Sequence, residues 1–312
     1  MGIDRPDEDD APTVELDSPL AGHAAETAPG AARELTEADV SDSPADREAE
    51  HIRYRALVDS NVEYERAREA WAEELPALRE ARAAHERTYP HPERSGPTFD
   101  QDGFCRWDSD LKLDQARYAE TTQSWGEIKE KAKDDILPAV ERVEAADAGR
   151  HLAGLENWLK GDDRLHEKIA RYLRAPELTV GQAFAMLPDA VRFTFVYTHD
   201  RYSEGVLSDI ERLKAEGFEP IKLKKSWTDD QYKGINSQWH RPGAELRFEV
   251  QFHTPESYEA KQLTHWAYER LRGSRAGPAE RQELEAYQSG INAMIVAPPG
   301  IDGIDEIREK ER

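Results

Sequence analysis

Between positions 245 and 253, Arg247, Glu249, Gln251 and His253 alternate with Leu246, Phe248, Val250 and Phe252. Period two puts one set on each face of a β-strand. One face is apolar and suits a core; the other lines up an acid, an amide and an imidazole, groups that move protons and hold charge. The exposed face of a half-buried strand favours Lys, Thr and Ser instead. Cations come from two further places. Lys160, Arg164 and Lys168 fall at i, i+4 and i+8 of a helix predicted over 155–173, which sets three positive charges along one face. Lys222, Lys224 and Lys225 sit on a short predicted strand over 219–225. Tyr232 and Asn236 fall on one side of an extended stretch, so an aromatic ring and an amide share a surface. Asp189 stands just before a third predicted strand, 191–197.

The elements that must position these groups begin at about residue 150. Ahead of the 219–225 strand, residues 202–217 read as a helix closed by Gly217, and 256–272 as another, with His265, Trp266 and Tyr268 packing on the sheet. Trp239 reads as core. Upstream the pattern is helical throughout. From His51 to Arg87, Leu57, Tyr64, Ala67, Trp71, Leu75 and Leu78 recur at helical spacing, with a bend expected at Pro76. Residues 89–103 read as a loop. Residues 111–146 read as helix with Tyr118, Trp125, Ile128 and Ile136 on its apolar side, divided or kinked by Pro138. Asp100, Asp102 and Gly103 do not make a calcium loop, because Ser109 falls where a bidentate Glu is required; turn chemistry accounts for them.

Of 312 residues, 64 are Asp or Glu and 42 are Lys or Arg, a net charge of −22. The first 50 hold 15 acidic residues, three Arg and no Phe, Trp or Tyr, so they are expected to stay disordered. The balance excludes binding a nucleic-acid backbone by bulk charge, which needs clustered Lys and Arg. No stretch approaches the ~20 apolar residues of a membrane span and no secretory signal opens the chain. A cytoplasmic protein is expected, with export as an effector without a signal peptide left open. The single cysteine, Cys105, rules out an internal disulfide, and His240, His253 and His265 lack zinc-site spacing.

Taken in order, the segments 159–168 (LKGDDRLHEK), Asp189, 232–236 (YKGIN), 249–254 (EVQFHT) and 265–268 (HWAY) resemble the synthetase domain of the RelA/SpoT family. That family transfers pyrophosphate from ATP to the 3′-hydroxyl of a purine nucleotide. The resemblance implies an α+β fold, a mixed β-sheet flanked by helices. With the composition and periodicity upstream, the chain is expected to divide into an acidic tail (1–50), a helical region (51–148), the synthetase-like domain (149–297) and a C-terminal tail (298–312). The resemblance assigns catalysis to Glu249, Gln251 and Asp189, with Asp189 and Glu249 holding magnesium. ATP phosphates fall to Lys160, Arg164, Lys168, Arg192, Lys222 and Lys224, and the acceptor to Tyr232, Lys233, Asn236 and His253.

Three positions depart from the long enzymes of the family. Arg164 stands for the usual serine, Asn236 for histidine, and His253 for the arginine of Glu-x-Gln-x-Arg-Thr. The strings 189–194 (DAVRFT) and 251–254 (QFHT) look closer to effector-type nucleotide 3′-pyrophosphokinases. Residues 51–148 contain no His-Asp pair of the kind that marks the family's hydrolase, which implies synthesis without degradation, a toxin or effector role and an immunity partner. Two other readings are a toxin that modifies the 3′ end of tRNA, which the acidic charge disfavours, and a nucleotide-binding module without turnover.

Overall fold

The structure, a computed structural model, describes residues 44–88, 98–107, 111–244, 246–272 and 276–309. The acidic tail up to residue 43 and most of the 89–103 loop lie outside the described residues. The chain divides into two compact units, 11–66 and a larger one containing 67–312. In the smaller, the described part is the first stretch of helix α1 (Pro44–Thr88), which begins ahead of His51. The helix runs through Pro76 without a break. In the larger unit Trp71 is buried, with Leu75 and Leu78 packed on the same core.

That unit is built on a mixed five-stranded sheet in the order β3-β4-β7-β6-β5. Its strands are β3 (Arg150–Ala153), β4 (Arg192–Tyr197), β5 (Glu219–Lys225), β6 (Ile235–His240) and β7 (Arg247–His253). Only β4 and β7 run parallel. The expected α+β class, a mixed sheet with helices about it, is the architecture observed. On the apolar face Phe193 and Phe195 of β4 and Phe248, Val250 and Phe252 of β7 are 0–1% exposed. They share a core with α3 (Leu137–Ala145) and α6 (Tyr202–Ala215). Fully burying side chains of this size contributes roughly 1.5–3 kcal/mol each, so the apolar half of the alternation sets the register of β7.

Two elements differ from the sequence reading. A hairpin of β1 (Phe104–Arg106) and β2 (Lys112–Asp114) precedes α2 (Gln115–Lys131), where helix was expected from Leu111. The chain enters β1 through a turn built on Asp100 Oδ1, which accepts from the amides of Asp102 and Phe104 at 3.0 and 2.9 Å. Strand β3 is new and short; it pairs antiparallel with β4, and its buried Arg150 forms an ion pair with Asp209 of α6. The division expected at Pro138 is present. A proline lacks N–H and its ring strikes the carbonyl four residues back, and the chain answers with a π-helical turn over Ala132–Ile136 just ahead of α3.

The predicted helix 155–173 is also divided. A 3₁₀ turn at Leu155–Asn157 is followed by an extended residue, Leu159, bridged to Val191, and helix α4 covers only Asp162–Tyr172. Gly161 at the N-cap and two aspartates in the first turn mark that start, the acids matching the positive end of the helix dipole. Both acids are also gripped from the N-terminal side. The indole of Trp125 on α2 donates to Asp162 at 2.7 Å, and that of Trp107 to Asp163 at 3.0 Å. Thus α2 and the residues before it hold α4, and α4 carries Lys168.

Candidate functional site

Strand register turns the row seen in β7 into a surface. Arg192 and Thr194 of β4 lie beside Glu249 and Gln251; Gln238 and Asn236 of β6 lie on their other side; Lys222 and Lys224 of β5 pair with Gln238 and Asn236. One face of four strands is therefore polar. It is not open to water at its centre, where Glu249 is 3% and Gln251 and His253 are 0% exposed. Helix α7 (Pro255–Arg272) reaches this row: Lys261 Nζ donates to Gln251 Oε1, and Ser257 Oγ lies 2.9 Å from His253 Nδ1.

At one end of the row, Asp189 sits in a 3₁₀ turn leading into β4, and Glu249 N donates to Val191 O at 2.9 Å. Glu249 thus lies on the strand beside the one that Asp189 leads into. Asp189 Oδ2 is met by Lys168 Nζ at 2.7 Å and Lys160 Nζ at 3.1 Å, all three side chains 0–3% exposed. The expected stripe along one helix face is not what brings these lysines together. Lys160 lies outside α4, in the extended link where its own amide donates to Ala190 O, and the two converge from different elements. Arg164, one turn before Lys168 on α4, pairs instead with Glu167 at 3.5 Å and Glu269 at 3.3 Å.

At the other end the Tyr232 hydroxyl donates to Asn236 Oδ1 at 2.7 Å and lies 2.8 Å from His253 Nε2, with the two rings edge to face at 5.3 Å. Tyr232 is half-buried. Burial, helped by the Lys261 cation, holds the His253 imidazole well below its ordinary range. The ring is therefore neutral at pH 7, with one N–H and one lone pair to place between two hydroxyls. Gly234 (φ +155°) permits this: a Cβ there would sit 2.8 Å from His253 Cε1 and 3.1 Å from Phe252 O. Lys233 is tied to Trp227 O at 3.0 Å, and burial lowers its pKa. The Asn236 Nδ2 atom is buried with no hydrogen-bond partner among the described residues, a donor whose desolvation costs about 1–3 kcal/mol unless something accepts from it.

Lys222 and Lys224 are half-exposed on the polar side of the edge strand. Lys225 falls on the opposite side, opposite Ile235, and donates to Ile301 O at 3.3 Å. A cavity of about 780 Å³ opens beyond the Arg247 end of the row, between α5 (Val180–Ala185), His240 and residues 307–309. None of the expected site residues lines it. Lys261, Ser257 and Thr194 are the functional neighbours that sequence reasoning missed. Thr194 and Lys261 both donate to Gln251 Oε1, the former at 3.3 Å.

Oxygen ligands suit magnesium, which keeps water and substrate phosphate in its shell and needs only one or two protein carboxylates. Asp189 and Glu249 supply that donor set, and no group of three or more His, Cys, Asp or Glu gathers into a cage among the described residues. The residues present fit that ion.

No protein-family model and no curated protein matches the chain. Solved structures do. The small alarmone synthetase 2 of Bacillus subtilis is 12% identical, with 55% of this chain and 92% of that one covered at a TM-score of 0.39. The small alarmone synthetase 1 of the same organism, bound to its product pppGpp, is 13% identical over 56% and 87%, TM-score 0.36. A GTP pyrophosphokinase family protein of Streptococcus pneumoniae is 14% identical over 55% and 84%, TM-score 0.35. Likeness at this distance does not assign chemistry, which has to come from the side chains. No helix among the described residues is long and apolar enough to cross a membrane.

Proposed function

We propose that the protein is an ATP-dependent nucleotide 3′-pyrophosphokinase. The observation that carries this reading is the buried polar row of β7, with paired lysines and an aspartate at one end and a tyrosine with an unsatisfied amide at the other. A two-substrate transfer needs such a division: cations for a polyphosphate donor, and an aromatic and hydrogen-bonding pocket for the acceptor base.

Lys160, Lys168 and Asp189 together carry one excess positive charge in a water-poor setting, which favours an arriving phosphate over solvent. Lys222, Lys224 and Arg192 extend that field across the sheet face. Magnesium held by Asp189 and Glu249 would supply charge neutralisation to the phosphate oxygens. Tyr232 has its hydroxyl tethered and its ring half-buried, a fixed surface for a purine to stack upon. Asn236 Nδ2 would donate to the base. Glu249 takes the proton of the attacking 3′-hydroxyl as a new O–P bond forms at the β-phosphorus; the bond from that phosphorus to the bridging oxygen breaks, and AMP leaves.

The test is incubation of the full chain with ATP, magnesium and each purine nucleotide in turn, with tRNA in parallel, followed by mass spectrometry. A nucleotide heavier by one pyrophosphate, with matching AMP, supports the reading and names the acceptor. Modified tRNA would move the acceptor to RNA, and ATP binding without any product would leave a binding module. An unopposed synthetase drains ATP, so a toxin or effector role with an immunity partner belongs to the same proposal. Normal growth on induction, with activity present in the lysate, would end that part.

A further inference from the structure

Lys261 stands on α7 at 8% exposure, and its ammonium donates to Gln251 Oε1. A lysine ammonium has three donors and no acceptor, so the end of Gln251 that it faces must be the carbonyl oxygen. The Thr194 hydroxyl donates to that same oxygen at 3.3 Å. With its oxygen fixed, the amide can present only its nitrogen in the other direction, and Gln251 Nε2 donates to Glu249 Oε1 at 2.7 Å. Reversing the amide would set NH₂ against ammonium and carbonyl against carboxylate, two repulsions in place of two hydrogen bonds. The Lys261 cation is felt along the row as well, since it helps to keep His253 neutral.

We propose that Lys261 is a positioning residue of the transfer reaction: acting through Gln251, it fixes the carboxylate plane of Glu249 and determines which oxygen meets the acceptor hydroxyl. This rests on the pyrophosphokinase reading of the same site. Loss of the ammonium leaves the Gln251 oxygen held only by the longer Thr194 contact at 3.3 Å, and Glu249 loses a firmly fixed donor. A shift of this kind at a reacting group costs turnover much more than binding.

The experiment compares full-length wild type, Lys261→Met, Lys261→Arg, Gln251→Leu and the Lys261→Met/Gln251→Leu double variant in steady-state transfer with saturating magnesium. Lys261→Met is expected to lower kcat about 10- to 100-fold, with KM for ATP and for the acceptor within about threefold, and Lys261→Arg to recover most of the loss. The double variant should be no worse than Gln251→Leu alone, because both changes cut one relay. Wild-type kcat in Lys261→Met, or losses that multiply in the double variant, would overturn the proposal. If Lys261→Met does not fold, Thr194→Val takes its place in the cycle with the same non-multiplying outcome expected. An active wild type with an indifferent Lys261 defeats only this inference, whereas a wild type without product on any acceptor defeats the pyrophosphokinase reading too.

Discussion

Replacing Asp189 with Asn removes a negative charge that two buried lysines share. Lys160 Nζ and Lys168 Nζ are no more than about 5.8 Å apart, the two contact distances to Asp189 Oδ2 laid end to end. At an effective dielectric constant of about 20, two like charges at that separation repel by about 3 kcal/mol, which falls within the roughly 3–5 kcal/mol that breaking a buried ion pair costs. Asp189→Asn should therefore lower the unfolding free energy by about 3 kcal/mol, read as a fall in urea midpoint at constant slope. Inorganic pyrophosphate added without magnesium should restore much of the loss, because an anion that binds the folded lysines stabilises by mass action. A change under about 0.5 kcal/mol, or no recovery with pyrophosphate, would refute the idea that these lysines are held ready for phosphate.

Glu249→Gln keeps the side-chain shape but removes the base; transfer should fall by about 10²–10⁴ with far-UV circular dichroism unchanged. Tyr232→Ala should raise KM for the acceptor about 5- to 150-fold, the equivalent of losing a stacked base at roughly 1–3 kcal/mol, while Tyr232→Phe keeps the ring and stays near wild type in KM. His253 lies well below its ordinary pKa and His199 is pushed down to about 4, both chiefly by burial. The folded state thus binds fewer protons than the unfolded one. Their contribution is complete above the unfolded value of about 6.5 and is lost as pH falls toward 4. Denaturation followed from pH 7 to pH 4 should show that decline, and His199→Gln should flatten it.

The alternation in β7 was legible because a strand whose neighbours are also strands must keep period two, and its apolar half was bound to find the core. The same holds for β4, where Phe193 and Phe195 mark the buried side. What the sequence hid were contacts between elements. The convergence of Lys160 and Lys168 reads as helical spacing along the chain, yet it comes from an extended link and a helix meeting at Asp189. Lys261 carries no local signal at all, since a lysine on a charged helix face looks like solvent exposure until the helix is laid on the sheet. Strand β3 was missed because its place rests on pairing with β4 and on the ion pair of Arg150 with Asp209, partners far apart in sequence.

The most direct test of the account is the fate of the β-phosphorus. With [β-³²P]ATP, magnesium and a purine nucleotide, the label should appear on the acceptor in step with unlabelled AMP, and Glu249→Gln should lower both by about 10²–10⁴. Label recovered as ADP or free phosphate, or equal transfer by Glu249→Gln, would contradict it.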